Sequence, residues 1–177
     1  MGPMRRDPAL ARLGETLTGS FAASARGLLG SDFAIQGKEG EEIGRLRIFG
    51  PEGADLEAGD LEARIERSAP ARYTMLAGGA TILSAKPAGA LNTPEIWSLD
   101  RLYQGRLSLL RNAAEAGPAG EEVTIRITGG LTNRNYEATF DPGDEGSLPV
   151  AFFLLYLTVA LRRKAHLTTG LGRVDPS

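Results

Sequence analysis

"LPVAFFLLYLTVALRRKAH", residues 148–166, is the most hydrophobic run in an otherwise polar chain. Ser147 ahead of it is suited to cap a helix, and Pro149 falls in the first turn, where its missing N–H is harmless. Arg162, Arg163 and Lys164 fall in the last turn, where positive charge complements the helix dipole. The sequence therefore predicts a helix over 147–166, with Gly170 beyond its end. Phe152, Phe153, Leu154, Leu155, Tyr156, Leu157, Val159 and Leu161 leave it no polar stripe. A helix apolar on every side is either enclosed by protein or inserted in a bilayer. Residues 148–161 would rise only about 21 Å, against ~30 Å for a bilayer core. Runs of that length are more often core helices. The rival reading is a C-terminal anchor with its basic flank in the cytosol.

The residues before this helix supply the deciding argument. From Ser31 to Asp141 apolar and polar residues alternate with period two. Phe33 and Ile35 share a face, as do Leu46 and Ile48, with Arg45 and Arg47 opposite. Leu61, Ala63 and Ile65 oppose Glu62, Arg64 and Glu66. Val123, Ile125 and Ile127 oppose Arg126, and Tyr136, Ala138 and Phe140 oppose Glu137. Each strand has one buried and one wet face, as in an antiparallel meander. Further strands are expected over 73–76, 80–86, 95–99 and 103–110, giving about nine in all. Residues 37–42, 50–60, 86–94 and 112–122 read as turns and loops by their glycine, proline and charge. A sheet with one apolar face needs a cover, and the helix of 147–166 is the element available to provide it.

The 177-residue chain is long enough for one domain with a substantial core. Its 42% hydrophobic and 24% charged residues are ordinary for a globular protein. A formal net charge of -2 gives no global pull toward nucleic acid or anionic lipid. There is no cysteine, which removes disulfides, thiolate metal sites and cysteine nucleophiles. Arg5 and Arg6 are not followed by the apolar run of a signal peptide. Residues 8–29 place Leu10, Leu13, Leu17, Phe21 and Leu28 at roughly helical spacing, weakened by Gly14 and Gly19. Residues 1–30 are thus expected to be an N-terminal arm or marginal amphipathic helix. A single domain is expected over 31–167, a barrel or a sandwich by its strand count, with a flexible tail over 168–177.

A strand-rich domain ending in "LPVAFFLLYLTVALRRKA" resembles the tubby C-terminal-like superfamily, which includes the tubby domain, the phospholipid scramblases and the plant LURP-one-related proteins. The resemblance spans residues 32–164. "FAIQGKEGEEIGRLR" (33–47) is similar to the family's first hairpin, and "RLYQGRLSLL" (101–110) and "NYEATF" (135–140) fit later strands. The resemblance implies a mainly β fold with a hydrophobic C-terminal helix. In that fold an antiparallel β-barrel of about twelve strands wraps around the central helix. It also implies a non-enzymatic binding or membrane-associated module. Tubby domains bind phosphoinositides through surface basic residues, and no such position is carried over to this chain. A partner would then be an anionic lipid, a phosphorylated ligand or a protein. The location would be cytoplasmic and at most peripheral to a membrane. The rival within the family is a scramblase-like or C-terminally anchored membrane protein.

Catalytic motifs are absent from the sequence. There is no Gly-x-Ser-x-Gly elbow, P-loop or Gly-x-Gly-x-x-Gly, and no metal-ligand spacing. His166, the one histidine, lies past the helix with no fixed partner in view. Asp141, Asp144 and Glu145 lack calcium-loop spacing and read as a solvated turn ahead of a helix. A hydrolase built from scattered carboxylates is the remaining enzymatic alternative. The candidate anion-binding residues are Arg45, Arg47, Arg106 and Arg126, on wet strand faces, if the fold makes them neighbours. The plainer reading is a solvated face neutralised by Glu62, Glu66 and Glu137. Aromatic residues do not interleave with these arginines, which argues against a nucleic-acid platform. No cofactor is expected.

Overall fold

The computed structural model describes residue 4 and residues 6–171, with side chains of the last helix described through Ala165. Helix α1 (Pro8–Leu17) comes first, followed by strands β1 (Ser20–Arg26), β2 (Asp32–Gln36) and β3 (Glu42–Ile48). A single 3-10 turn (Gly50–Glu52) leads to β4 (Gly53–Ala58), β5 (Leu61–Ala69), β6 (Arg72–Ala77) and β7 (Ala80–Ala88). Then come β8 (Ala90–Ser98), β9 (Arg101–Ser108), β10 (Ala113–Pro118), β11 (Ile125–Gly129), β12 (Asn135–Thr139) and helix α2 (Ser147–Leu171). Each strand pairs antiparallel with its neighbours in the chain, and β1 pairs with β12 to close the barrel.

Burial follows the alternation. Leu46 and Ile48, Leu61 and Ile65, Ile125 and Ile127, and Tyr136 and Ala138 all face inward and are buried. Every residue of α2 from Ser147 to Ala160 is buried as well. A helix can lose solvent on all sides only if the wall surrounds it, so α2 occupies the barrel interior. Its aromatic residues dock on the wall: Phe152 stacks on Phe21 of β1 at 4.5 Å, and Phe153 lies 5.7 Å from Tyr73 of β6. Its polar groups find protein partners. Tyr156 Oη donates to the Gly50 carbonyl at 2.9 Å, and Thr158 Oγ1 to the Leu154 carbonyl at 2.7 Å. Among the described residues no helix is long and apolar enough to cross a membrane.

Three strands lie where the sequence predicts none. The helical reading of residues 8–29 holds only for α1, whose Leu10, Leu13 and Leu17 are buried. Thr18 then adopts a left-handed conformation and its N–H bonds back to the Gly14 carbonyl, which ends the helix. The next residues form β1, so residues 20–26 belong to the closed barrel, while α1 is the amphipathic helix expected within 1–30. The other two, β4 and β10, fall in the loops read at 50–60 and 112–122. Their inward residues are mostly alanine: Ala54 and Ala58 on either side of Leu56 in β4, Ala114 and Ala116 in β10. Alanine has low strand propensity, so neither segment reads as a strand. Yet a wall around a bulky helix needs small residues where the helix comes close, and α2 packs most closely on β10 and β11. At its far end α2 continues to Leu171, so Gly170 and residues 168–171 of the expected tail are helical. Residues 172–177 and the His166 side chain lie outside what is described.

Candidate functional site: an apolar and basic rim

The up-and-down topology sorts the connections onto two rims. Connections β1–β2, β3–β4, β5–β6, β7–β8, β9–β10 and β11–β12 all lie at one end, where α2 emerges. The remaining connections, together with α1 and the start of α2, lie at the other end. At the emerging end Arg162 ties the helix to the rim. It donates to the Leu109 carbonyl of the β9–β10 connection, and its Nε lies 2.6 Å from Asn133 Oδ1 of β11–β12.

This rim exposes large apolar side chains. Leu110 and Leu131 are each 100% exposed, Leu28 99%, Leu29 88% and Phe49 50%. They lie on β9–β10, β11–β12, β1–β2 and β3–β4, which are consecutive around the ring. Scattered single exposures are ordinary, but here apolar tips on four successive loops are gathered at one end of the barrel. The loops are braced from beneath. Arg134 Nη2 donates to the Gly27 carbonyl at 2.9 Å, which holds the Leu28–Leu29 tip against the β11–β12 turn.

Charge follows the same division. The apolar rim carries Arg111, Arg134, Arg162, Arg163 and Lys164, and its connections contain one acid, Glu52, which lies 3.9 Å from Arg67. Arg163 is half-buried and makes no ion pair among the described residues. Burial holds its guanidinium below the ordinary value, partly offset by Tyr136 nearby. A partly desolvated cation without a counter-ion favours an anion beside it. At the opposite end Glu39 and Glu41 lie on β2–β3, Asp60 on β4–β5, Asp100 on β8–β9, and Glu121 and Glu122 on β10–β11. Lys38 is the one base in those connections. The net charge of -2 thus conceals a barrel with one acidic and one basic end.

The four arginines singled out from the sequence do not converge. Arg45 and Arg47 are on β3, whereas Arg106 and Arg126 are on β9 and β11, well around the barrel. Each faces a carboxylate across the sheet. Arg45 pairs with Asp32, with its Nε at 2.6 Å, and holds that carboxyl below its usual range. Arg47 sits in register with Asp32 and Asp55. Arg126 lies 3.8 Å from Glu115, which is also in register with Arg106. Asp32 and Glu115 are thus the acids in ion-pair distance of this set, while Asp55 pairs with Arg64 at 2.8 Å. The rim residues escape sequence reading because loop leucines carry no periodicity. Only the chain's return to one end eight or more residues later brings them together.

In the acidic turn before α2, Asp141 and Glu145 are exposed as a solvated turn requires, but Asp144 is not. The Asp144 side chain is only 11% exposed. Its Oδ2 accepts from Tyr103 Oη at 2.5 Å and lies 3.3 Å from Arg101 Nη1, while Oδ1 accepts from Gly146 N at 3.2 Å. Burial, followed by that carboxylate, pushes the Tyr103 hydroxyl well above its ordinary pKa. Ser147 differs from the expected N-cap: its hydroxyl lies 2.7 Å from the carbonyls of Asp141 and Asp144 and so braces the turn. Among the described residues no group of three or more His, Cys, Asp or Glu could hold a metal ion.

No protein-family model matches the chain, and no curated protein matches it. A crystal structure of a protein from Arabidopsis thaliana superimposes with a TM-score of 0.58 at 12% identity, covering 88% of this chain and 97% of that one. At that identity the likeness is one of fold, a closed antiparallel barrel of twelve strands with a single C-terminal helix.

Proposed function

We propose that this protein is a non-enzymatic binding module of the tubby C-terminal-like type, docking by its helix-exit rim on an anionic lipid surface. The observation that carries the reading is the coincidence of apolar loop tips and basic side chains on one end of the barrel. Leucine tips gain from shallow burial among acyl chains, and bases just behind them meet lipid phosphates at headgroup depth. The acidic opposite end would be repelled, so the surface charge also orients the barrel. Anionic lipid of this kind lines the cytoplasmic leaflet, which supports a cytoplasmic, peripheral location. The enclosure of α2 argues against an anchor reading, because that helix is already committed to the core. Vesicle cosedimentation tests the proposal. Vesicles containing phosphatidylserine should retain the protein at low salt, and phosphatidylcholine vesicles should not. Retention should fall when Leu28 and Leu131 are both changed to serine. Equal retention by both lipids, or by neither, would remove the proposal.

A further inference from the structure

At the acidic end α1 does not lie flush on the barrel. A cleft of about 450 Å³ opens between α1, the β8–β9 turn and the segment leading into α2. That is within the size range of small-molecule sites. Leu10, Leu99, Phe140, Pro142 and Leu148 give it an apolar floor. Its walls carry Asp7, Glu15, Asp144 and Glu145 against a single base, Arg6, which lies 3.4 Å from Glu145.

Two features distinguish the cleft from a packing gap. The first is Gly14, in the middle of α1 and on the cleft wall. Glycine is a poor helix former. Nothing in the packing demands it here, since an added methyl would meet only Leu148 Cδ2, at 4.0 Å. Its missing side chain instead keeps the cleft open. The second is Asp144, a mostly buried carboxylate fixed from behind by Tyr103 and Arg101. Both of those groups engage Oδ2, whereas Oδ1 takes only the Gly146 N–H and retains acceptor capacity. The carboxylate is held in place before any ligand arrives, which lowers the ordering cost of binding.

We infer that this cleft binds a small amphiphilic amine, with its apolar body on the leucine and phenylalanine floor and its ammonium group toward Asp144 and Glu15. An anionic ligand would face several carboxylates. A neutral one would leave the fixed carboxylate unused. The inference is independent of the membrane reading, because the cleft lies at the opposite end from the apolar rim.

Isothermal titration calorimetry without lipid, below micellar concentrations, tests it with octylammonium, octanoate and octan-1-ol. The expected result is saturable binding of octylammonium, with octanoate and octanol at least about tenfold weaker. Glu15→Gln should weaken octylammonium binding about two- to five-fold, as for a partly exposed ion pair. Gly14→Leu, which fills the cleft, should abolish it while thermal melting shows an intact fold. If that variant fails to fold, Ala11→Leu on the same wall serves instead. Binding that ignores ligand charge, binding that survives the filled cleft, or no saturable binding to the unmodified protein would each overturn the inference. Since no vesicle is present, none of these outcomes bears on docking by the rim.

Discussion

Gly146 and Gly14 lie at the same end of the barrel and should respond oppositely to an added methyl. At Gly146 a Cβ would meet Tyr103 Oη at 2.6 Å and the Ser98 carbonyl at 3.0 Å, where α2 enters the wall. Gly146→Ala should therefore cost about 1–3 kcal/mol, the range for overpacking a fixed site. At Gly14 the space is open, so Gly14→Ala should stabilise by up to about 1 kcal/mol through helix propensity. Urea titration of the two variants gives both signs. The pair Asp32–Arg45 makes a prediction about acid. The hydrogen bond from Arg45 lowers the Asp32 carboxyl below its ordinary value of 3.8. The folded state therefore binds that proton less readily than the unfolded one. The stabilisation is complete above the ordinary value and is lost as pH falls through the lowered one. Asp32→Asn should lower stability at pH 7 and flatten its loss below about pH 4, as read from thermal melts across pH. The sequence identifies Arg45 as a basic residue on a wet face. It could not reveal that a strand partner already occupies the guanidinium, because cross-strand register is set by turns many residues away.

Helix α2 is the element on which the barrel depends. Leu155 is 0% exposed at its centre. Leu155→Asp places a carboxylate there without a partner and should abolish cooperative folding, as followed by circular dichroism. Leu155→Ala should cost about 2–5 kcal/mol and leave a folded, weakened barrel. The helix was legible because fourteen-odd apolar residues bounded by Ser147 and Arg162 have few places to go in a protein. Strands such as β5 and β12 were legible because Leu61, Ile65 and Tyr136 alternate with charge. Strand β10 was not, because the wall must yield room to the helix, and the residues that yield it, Ala114 and Ala116, carry no strand signature. Strand β1 was hidden for the same reason: Ala22, Ala23 and Ala25 carry no strand signature, and Phe21 keeps the helical spacing of α1 past Thr18 and Gly19, where the helix ends.

At the scale of the whole molecule, strand count and direction set which loops share an end. An even number of antiparallel strands gathers loops separated in sequence onto two ends, one apolar and basic, the other acidic with a cleft. Docking should accordingly weaken with salt, since Arg111 and Lys164 on the rim are exposed and screened over ~8 Å at physiological ionic strength. Raising salt should reduce retention on anionic vesicles without changing the melting temperature of the free protein. The absence of cysteine allows a direct test of orientation, because a single introduced thiol labels one place. Leu131→Cys on the apolar rim and Glu39→Cys on the acidic end would each carry an environment-sensitive fluorophore. On adding phosphatidylserine vesicles, the label at residue 131 should shift to the blue and be quenched by shallow lipid-borne quenchers, while that at residue 39 stays unchanged. A silent label at residue 131, or an equal shift at both ends, would contradict docking by the helix-exit rim.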